Sequence, residues 1–263
     1  MEDIPIQDLL EGASRANPFS LWFPLPEVLL LGNDEVHVWR ATLNVEISYL
    51  HNLQQLLSAD EQVRAGRFYF QKDRERFIIT RGLLRRILGR YLEREPGQLQ
   101  FGYGPYGKPY LTGEFSYSRL RFNLAYSQEL ALYAITQGRE VGIDIEYIRP
   151  HPANMQIAHR FFSPCEVMAL KALPFHLQQE AFFNCWTRKE AYIKARGKGL
   201  SFPLNQFSVS LAPGEPAALL NVLEDPQETS RWSLQTLEPG SGYVAALAVE
   251  GQDWRLKCWQ VQG

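Results

Sequence analysis

Three carboxylates and a lysine stand at spacings that suit binding a cation and a phosphate. Asp144 and Glu146, in the stretch GIDIE, are two residues apart. On a strand they project from one face, while Ile143 and Ile145 point the other way into a core. Glu190 and Lys194, in WTRKEAYIK, are four apart. On a helix they share a stripe with Phe182 and Trp186, which reads apolar, apolar, acid, base. A Glu–Lys pair at this spacing is ordinarily a solvated surface pair worth about 0.2–0.5 kcal/mol. Beside Phe182 and Trp186 it is expected to be partly buried, and buried charge needs a partner or a ligand. Like charges on one strand face either meet water at a sheet edge or hold a divalent cation. An all-oxygen set suits Mg²⁺, which keeps waters and takes one or two carboxylates plus substrate phosphates. Glu190 adds a third carboxylate, and Lys194 then reads as a phosphate contact.

Candidate phosphate-binding cations lie upstream. Lys108 sits in the turn Tyr106-Gly107-Lys108-Pro109. Residues 64–90 carry Arg64, Arg67, Arg74, Arg76, Arg81, Arg85, Arg86 and Arg90. Such a run is either a solvated helix face or a surface for phosphate or an acidic partner, since guanidinium groups bind phosphate in bidentate fashion.

These residues need strands and helices to position them. Glu35 to Leu43 alternates as a strand does. Ser58-Ala-Asp-Glu61 is a capping-box pattern that opens a helix. Residues 72–92 have the period of a long amphipathic helix, and 102–113 are rich in turn residues. Phe122–Tyr126 and Leu130–Thr136 read as a hairpin, followed by a strand at Val141–Tyr147. Helices are expected at 153–173 and 176–196, then strands near 207–211, 230–236, 242–249 and 254–260. ELALYAIT (129–136) and YVAALAVE (243–250) echo each other, each after a long helix and a turn-rich stretch. The expectation is an α+β fold of two similar halves. An irregular lead-in covers 1–34, an N-terminal half 35–138, and a C-terminal half 139–263 carrying the carboxylate motifs.

The chain has 263 residues, 45% of them hydrophobic and 21% charged, enough for a core and too few charges for a disordered chain. A net charge of −2 gives no global basic signature, so neither nucleic acid nor membrane is an expected partner. Cys165, Cys185 and Cys258 are odd in number and lack metal-type spacing, which fits a reducing compartment. No signal peptide is expected, because Met1 is followed by Glu2 and Asp3 rather than by basic residues and an apolar run. The chain reads as cytoplasmic.

GIDIE at 142–146 and WTRKEAYIKARGKGL at 186–200 resemble, in order and separation, the two signature motifs of the Sfp-type 4′-phosphopantetheinyl transferases. YGKP at 106–109, FNLAYS at 122–127, RFFSPCE at 160–166 and the Arg81–Arg85 helix also resemble segments of that family. EVHVWR at 35–40 and EPGQLQF at 95–101 look most like its cyanobacterial members. The resemblance implies a monomer of two α+β halves related by a pseudo-twofold, with coenzyme A in the cleft between them. It implies transfer of phosphopantetheine from coenzyme A to a serine of an apo acyl or peptidyl carrier protein, leaving 3′,5′-ADP. Asp144, Glu146 and Glu190 would hold Mg²⁺, with Mn²⁺ as an alternative. Glu190 would be the base, with Glu166 as the second choice, and Lys194 would steady the leaving phosphate. Arg64, Arg81, Lys108 and, less directly, Arg76 would bind the 3′-phosphate and adenine end, along with the turn residues Gly107 and Pro109.

One stretch departs from the family pattern. Where the family has Asn-x-Ser-His-Ser, this chain has Asn123-Leu-Ala-Tyr126-Ser127. Tyr126 donates a hydrogen bond but brings no positive charge, so coenzyme A is expected to bind more weakly by about 1–2 kcal/mol. Charge reversal at Arg85 and Arg86 is expected to raise KM for carrier protein alone. Two other readings remain open on the residues: a Mg²⁺-dependent phosphohydrolase using the same carboxylates, and a non-catalytic module that binds coenzyme A or a carrier protein.

Overall fold

The computed structural model describes residues 22–149 and 153–261, apart from the side chain of Leu200. The expected lead-in, 1–34, falls outside them up to residue 21. Its described part contributes a two-residue strand, β1 (Phe23–Pro24). The chain continues through β2 (Glu35–Thr42), α1 (Ile47–Gln55), α2 (Ala59–Gly66), α3 (Gln71–Leu92), β3 (Phe101–Tyr103), β4 (Pro109–Leu111), β5 (Leu120–Ser127) and β6 (Leu130–Gln137). Then come β7 (Val141–Tyr147), α4 (Met155–Phe161), α5 (Pro164–Ala172), α6 (Phe175–Arg196), β8 (Phe207–Val209) and β9 (Leu219–Val222). α7 (Glu228–Arg231), β10 (Trp232–Leu237), β11 (Tyr243–Glu250) and β12 (Arg255–Gln260) complete it.

The two halves repeat one plan. Each lays a 22-residue helix, α3 or α6, against a sheet. The echoing segments become β6 and β11, each the middle strand of an antiparallel trio and each buried at all but its end residues. One sheet runs β1-β12-β2-β6-β5 and the other β10-β11-β7. α3 covers one face of the first sheet, with Phe77, Ile78, Leu84 and Leu88 against Trp39, Tyr133 and Ile135. The other face packs on the second sheet through Val36, Val38, Leu132, Ile143, Ile145 and Leu247. α6 covers the far side of that second sheet, giving four layers in the order helix, sheet, sheet, helix. Ile143 and Ile145 therefore sit in the seam between the sheets, at 0% and 1% exposure, as their alternation predicts. Asn123 bolts the seam, its Oδ1 accepting from the Ile143 N–H at 2.9 Å.

Several local expectations change in the structure. The single helix expected over 153–173 is two, α4 and α5. Pro164 bars Ser163 from helical backbone (ψ 157°), and the Ser163 side chain instead caps α5 through the Glu166 N–H. The turn-rich stretch 102–113 folds as the short hairpin β3–β4, with Gly107 at φ 82° in its turn. β12, within the expected second half 139–263, pairs in parallel between β1 and β2, so the first half's sheet takes the last strand. Among the described residues, no helix is long and apolar enough to cross a membrane.

Candidate active site

The carboxylate motif is positioned by a missing side chain. At Gly142 of β7, a Cβ would run into the backbone of Ala191 and Ala195 on α6. Glycine here lets the helix seat directly on the strand, with Ala191 and Ala195 as the facing residues. That contact brings Asp144 and Glu146 alongside Glu190 and Lys194, about 50 residues away in sequence. Lys194 Nζ donates to Asp144 Oδ1 at 2.6 Å. Asp144 is 5% exposed, and its Oδ2 is buried with no hydrogen-bond partner. Ser127, at the end of β5, donates to Glu146 Oε2 at 3.1 Å and accepts from the Tyr147 N–H, fixing the second carboxylate across the seam.

The electrostatics show an excess of negative charge. Burial raises the pKa of Asp144 despite the ammonium of Lys194. Glu146 is raised by burial and by Asp144. Glu190 is pushed up to about 7, first by burial and then by Asp144 and Glu146, with Lys194 opposing. Burial works against the charge of Lys194, but Asp144, Glu190 and Glu146 outweigh it and hold the lysine charged. One ammonium among three half-buried or buried carboxylates leaves a deficit of positive charge. With an unpartnered buried oxygen and all-oxygen donors, the cluster fits a hard divalent cation. Among the described residues, no three acidic, His or Cys side chains already stand in metal-holding geometry.

A cleft of about 310 Å³ opens between the halves beside this cluster. It brings together Arg64, Arg81, Gly107, Lys108, Pro109, Asn123 and Tyr126 from the first half with Lys194, Gly197 and Gly199 from the second. Arg81, 6% exposed, donates to the Tyr103 hydroxyl at 2.8 Å, while its Nη1 is buried without a partner. Arg64 stacks over Phe77 and Tyr103 at 5.4 and 5.8 Å. Tyr126 is 44% exposed at the cleft. Tyr103, Phe77, Gly197 and Gly199 were not singled out from sequence. The two glycines were legible in RGKGL as the end of the helix, where both adopt positive φ.

Three expected roles are revised by their surroundings. Glu166 is 2% exposed and does not reach the cleft. Its oxygens accept from the Ser163 N–H and the Val209 N–H, each at 2.7 Å, and pair with Lys189 at 2.9 Å, so it caps and anchors α5. Lys108 donates to Glu140 Oε2, the Val141 carbonyl and the Ala195 carbonyl, which engages all three of its N–H groups. It clamps the YGKP turn to the C-terminal end of α6. Arg76 lines a different cavity, with Lys72, Glu75 and Gln128, and is not brought to Arg64 and Arg81. The expected Arg85–Arg86 surface also changes. Arg85 is 1% exposed, bound to Glu61 at 2.7 Å and to the Pro96 and Leu99 carbonyls. Only Arg86 of the two is exposed, and it donates to the Tyr49 hydroxyl.

The profile of the family described as "4'-phosphopantetheinyl transferase superfamily" matches residues 140–248, the half with the carboxylate cluster. A second, "4'-phosphopantetheinyl transferase, N-terminal", matches residues 39–137. The chain belongs to the 4′-phosphopantetheinyl transferase superfamily. It is similar to the 4′-phosphopantetheinyl transferase HetI of Nostoc sp., with 47% identity over 90% of this chain and 97% of that one. A putative 4′-phosphopantetheinyl transferase of Synechocystis is 39% identical over 70% of this chain and 72% of its own. The 4′-phosphopantetheinyl transferase Sfp of Bacillus subtilis is 30% identical over 75% of this chain and 84% of its own. The superfamily is one of group-transfer enzymes, and these matches lend no support to a hydrolase or a non-catalytic binding module.

Proposed function

We propose that the protein transfers the 4′-phosphopantetheine group of coenzyme A to a serine hydroxyl of apo acyl or peptidyl carrier proteins. The serine oxygen bonds to the phosphorus that carries pantetheine, and the bond from that phosphorus to 3′,5′-ADP breaks. The observation that carries this reading is the carboxylate cluster at the end of a cleft whose other walls are cationic and aromatic. An anionic nucleotide fits the one and a cation bridging its phosphates fits the other.

Asp144, Glu146 and Glu190 are the residues that would hold Mg²⁺, or Mn²⁺, and that ion would neutralise charge on the departing phosphate. Asp144 Oδ2 is the donor left open for it. Lys194, held charged by its carboxylate neighbours, is placed to donate to a phosphate oxygen on the leaving side. Glu190 is the carboxylate that would accept the serine proton, directly or through a water it orients. Arg64 and Arg81 supply cations and flat faces for the 3′-phosphate and adenine, with Arg81 Nη1 lacking any protein partner. Lys108 acts through the wall it clamps rather than through free N–H groups.

The test is the intact mass of an apo carrier protein after incubation with this protein, coenzyme A and Mg²⁺, beside a Glu190→Gln control. A gain of one phosphopantetheine, lost in the control, is expected. No gain on several unrelated carriers, with coenzyme A still bound, would overturn transfer in favour of binding alone.

A further inference from the structure

The wall of the cleft that carries Lys108 has a second cavity behind it. Lys108, Pro109 and Gly197 border the cleft on one side and a separate cavity of about 330 Å³ on the other. The β3–β4 hairpin and the start of β5 form most of this back cavity, with Glu140 and the residue after α6 closing it. It is as large as the cleft, and none of the roles above uses it.

Its charges are unevenly spent. Lys108 commits its three N–H groups to Glu140 and two carbonyls. Glu140 accepts through both oxygens, from Lys108 at 2.8 Å and from Arg121 Nε at 3.2 Å. Arg121 also donates through Nη1 to the Ser118 and Leu120 carbonyls, but among the described residues its Nη2 has no partner. Ser118 Oγ accepts from the Leu120 N–H at 3.1 Å, which leaves its O–H to donate. The Ser116 hydroxyl has no partner among the described residues. Two cations against one carboxylate leave one positive charge in excess, and the unpartnered nitrogen and hydroxyls can all donate. The floor is apolar, made by Leu111 and Phe122 at 7% and 3% exposure. A ligand that meets both needs one negative, acceptor-rich group and a compact apolar body. A phosphate monoester would bring a second negative charge with no cation to meet it, and a neutral molecule would leave Arg121 unmet.

We infer that the back cavity is a second ligand site, for a small organic carboxylate, coupled to the cleft through their common wall. The carboxylate pairs with Arg121 and the Ser116 and Ser118 hydroxyls, and the apolar body lies on Leu111 and Phe122. Lys108 and Pro109 face both cavities, so any shift of that wall changes both, and the coupling is reciprocal. The site itself is independent of the transferase reading; the coupling rests on that reading, because it needs a nucleotide in the cleft.

The probes are benzoate and benzyl alcohol, which share a ring and differ in charge. In an NMR titration of the wild type, benzoate should saturate with a Kd of about 1–10 mM, the scale for so small a ligand, and benzyl alcohol should bind at least about fivefold more weakly. Arg121 and Ser116 are both exposed, so their variants should fold. Arg121→Gln should weaken benzoate at least about fivefold, the scale of a charge-assisted hydrogen bond, and Ser116→Trp, which fills the cavity from its rim, should abolish binding. Saturating benzoate should change the Kd for 3′,5′-ADP about fivefold in the wild type and not in Ser116→Trp. No saturable benzoate binding, or one benzoate Kd shared by the wild type and both variants, overturns the site. Saturable binding that leaves 3′,5′-ADP unchanged overturns the coupling. A wild type that binds benzoate but no 3′,5′-ADP overturns the transferase reading and the coupling with it, and supports the carboxylate site alone.

Discussion

Helices α3 and α6 are the same length and occupy the same layer in their halves, but they leave opposite charges unmet. On α3, Arg85 is held by Glu61 and two carbonyls, while Arg81, one turn away, is held by Tyr103 and lies near Glu61 but keeps a buried guanidinium nitrogen without a partner. On α6, Arg188 is held by Ser210 and Thr236, and Lys189 by Glu166 and the Leu204 and Phe207 carbonyls. The next residue, Glu190, faces Asp144, whose Oδ2 is free. Each helix thus has one satisfied charged face that holds the fold and one unsatisfied face that meets the cleft. Duplicated scaffolds become a site for an anion and a cation together because the leftover charge is positive on one side and negative on the other.

Satisfied and unsatisfied charges should respond differently to removal. The largest effect is expected at a satisfied one. Glu61→Ala strands Arg85 in the core and should cost about 3–5 kcal/mol in chemical denaturation. Because Glu61 Oε1 also lies 3.8 Å from Arg81 Nε, KM for coenzyme A should shift as well, while kcat per folded molecule changes little. Glu190→Gln is the opposite case. Transfer to a carrier should fall about 10²–10³-fold, comparable to losing one preorganised charge-stabilising group, with no loss of thermal stability. A drop in melting temperature alongside the lost activity would place Glu190 with the structural charges instead.

The third prediction concerns a satisfied network that titrates. The Trp39 indole N–H donates to the Tyr91 hydroxyl at 2.8 Å. Glu35 can only accept, so neutral His37 turns its Nε2–H to that carboxylate at 3.3 Å and its Nδ1 accepts from the Tyr91 hydroxyl at 2.7 Å. Burial holds the pKa of His37 at about 4, although Glu35 opposes. Burial by itself would raise Glu35, but hydrogen bonds from Lys257, the Gly32 N–H and His37 outweigh it and bring it to about 2. The unfolded chain binds a proton at His37 that the folded chain refuses. The stability due to this histidine is therefore present above pH 6.5 and is lost as pH falls toward 4. Unfolding free energy should drop by about 2–3 kcal/mol over that window, and His37→Gln should flatten it. Below it, Glu35 adds a further loss as pH falls from 4.5 toward 2.

Gly142→Ala tests the contact that brings the two motifs together. It should destabilise by about 1–3 kcal/mol as the helix lifts off the strand. Activity should fall further than stability does, since Lys194 and Asp144 separate. The smallest effect is expected at the edge of the cleft. Tyr126→His should lower KM for coenzyme A by an amount worth about 1 kcal/mol, leaving KM for carrier protein alone. No change would mean that Arg64 and Arg81 already meet the phosphate.

The sequence by itself determined whatever rests on the period of one element. Strand alternation put Asp144 and Glu146 on one face and Ile143 and Ile145 in the core, and helical spacing aligned Phe182, Trp186, Glu190 and Lys194. The echo of 129–136 in 243–250 pointed to two halves, but only the structure makes both segments buried centre strands. The tertiary structure decided which charges are used up. Glu166 and Arg85 looked as available as Glu190 and Arg81, but they meet Lys189, Val209, Glu61 and Leu99, partners on other elements. Lys108 looked free in its turn until β7 and the end of α6 arrived to bind it. The physical reason is that periodicity fixes where a side chain points within its own helix or strand. Desolvation and pairing depend on what packs there from elsewhere in the chain, and no local spacing encodes that.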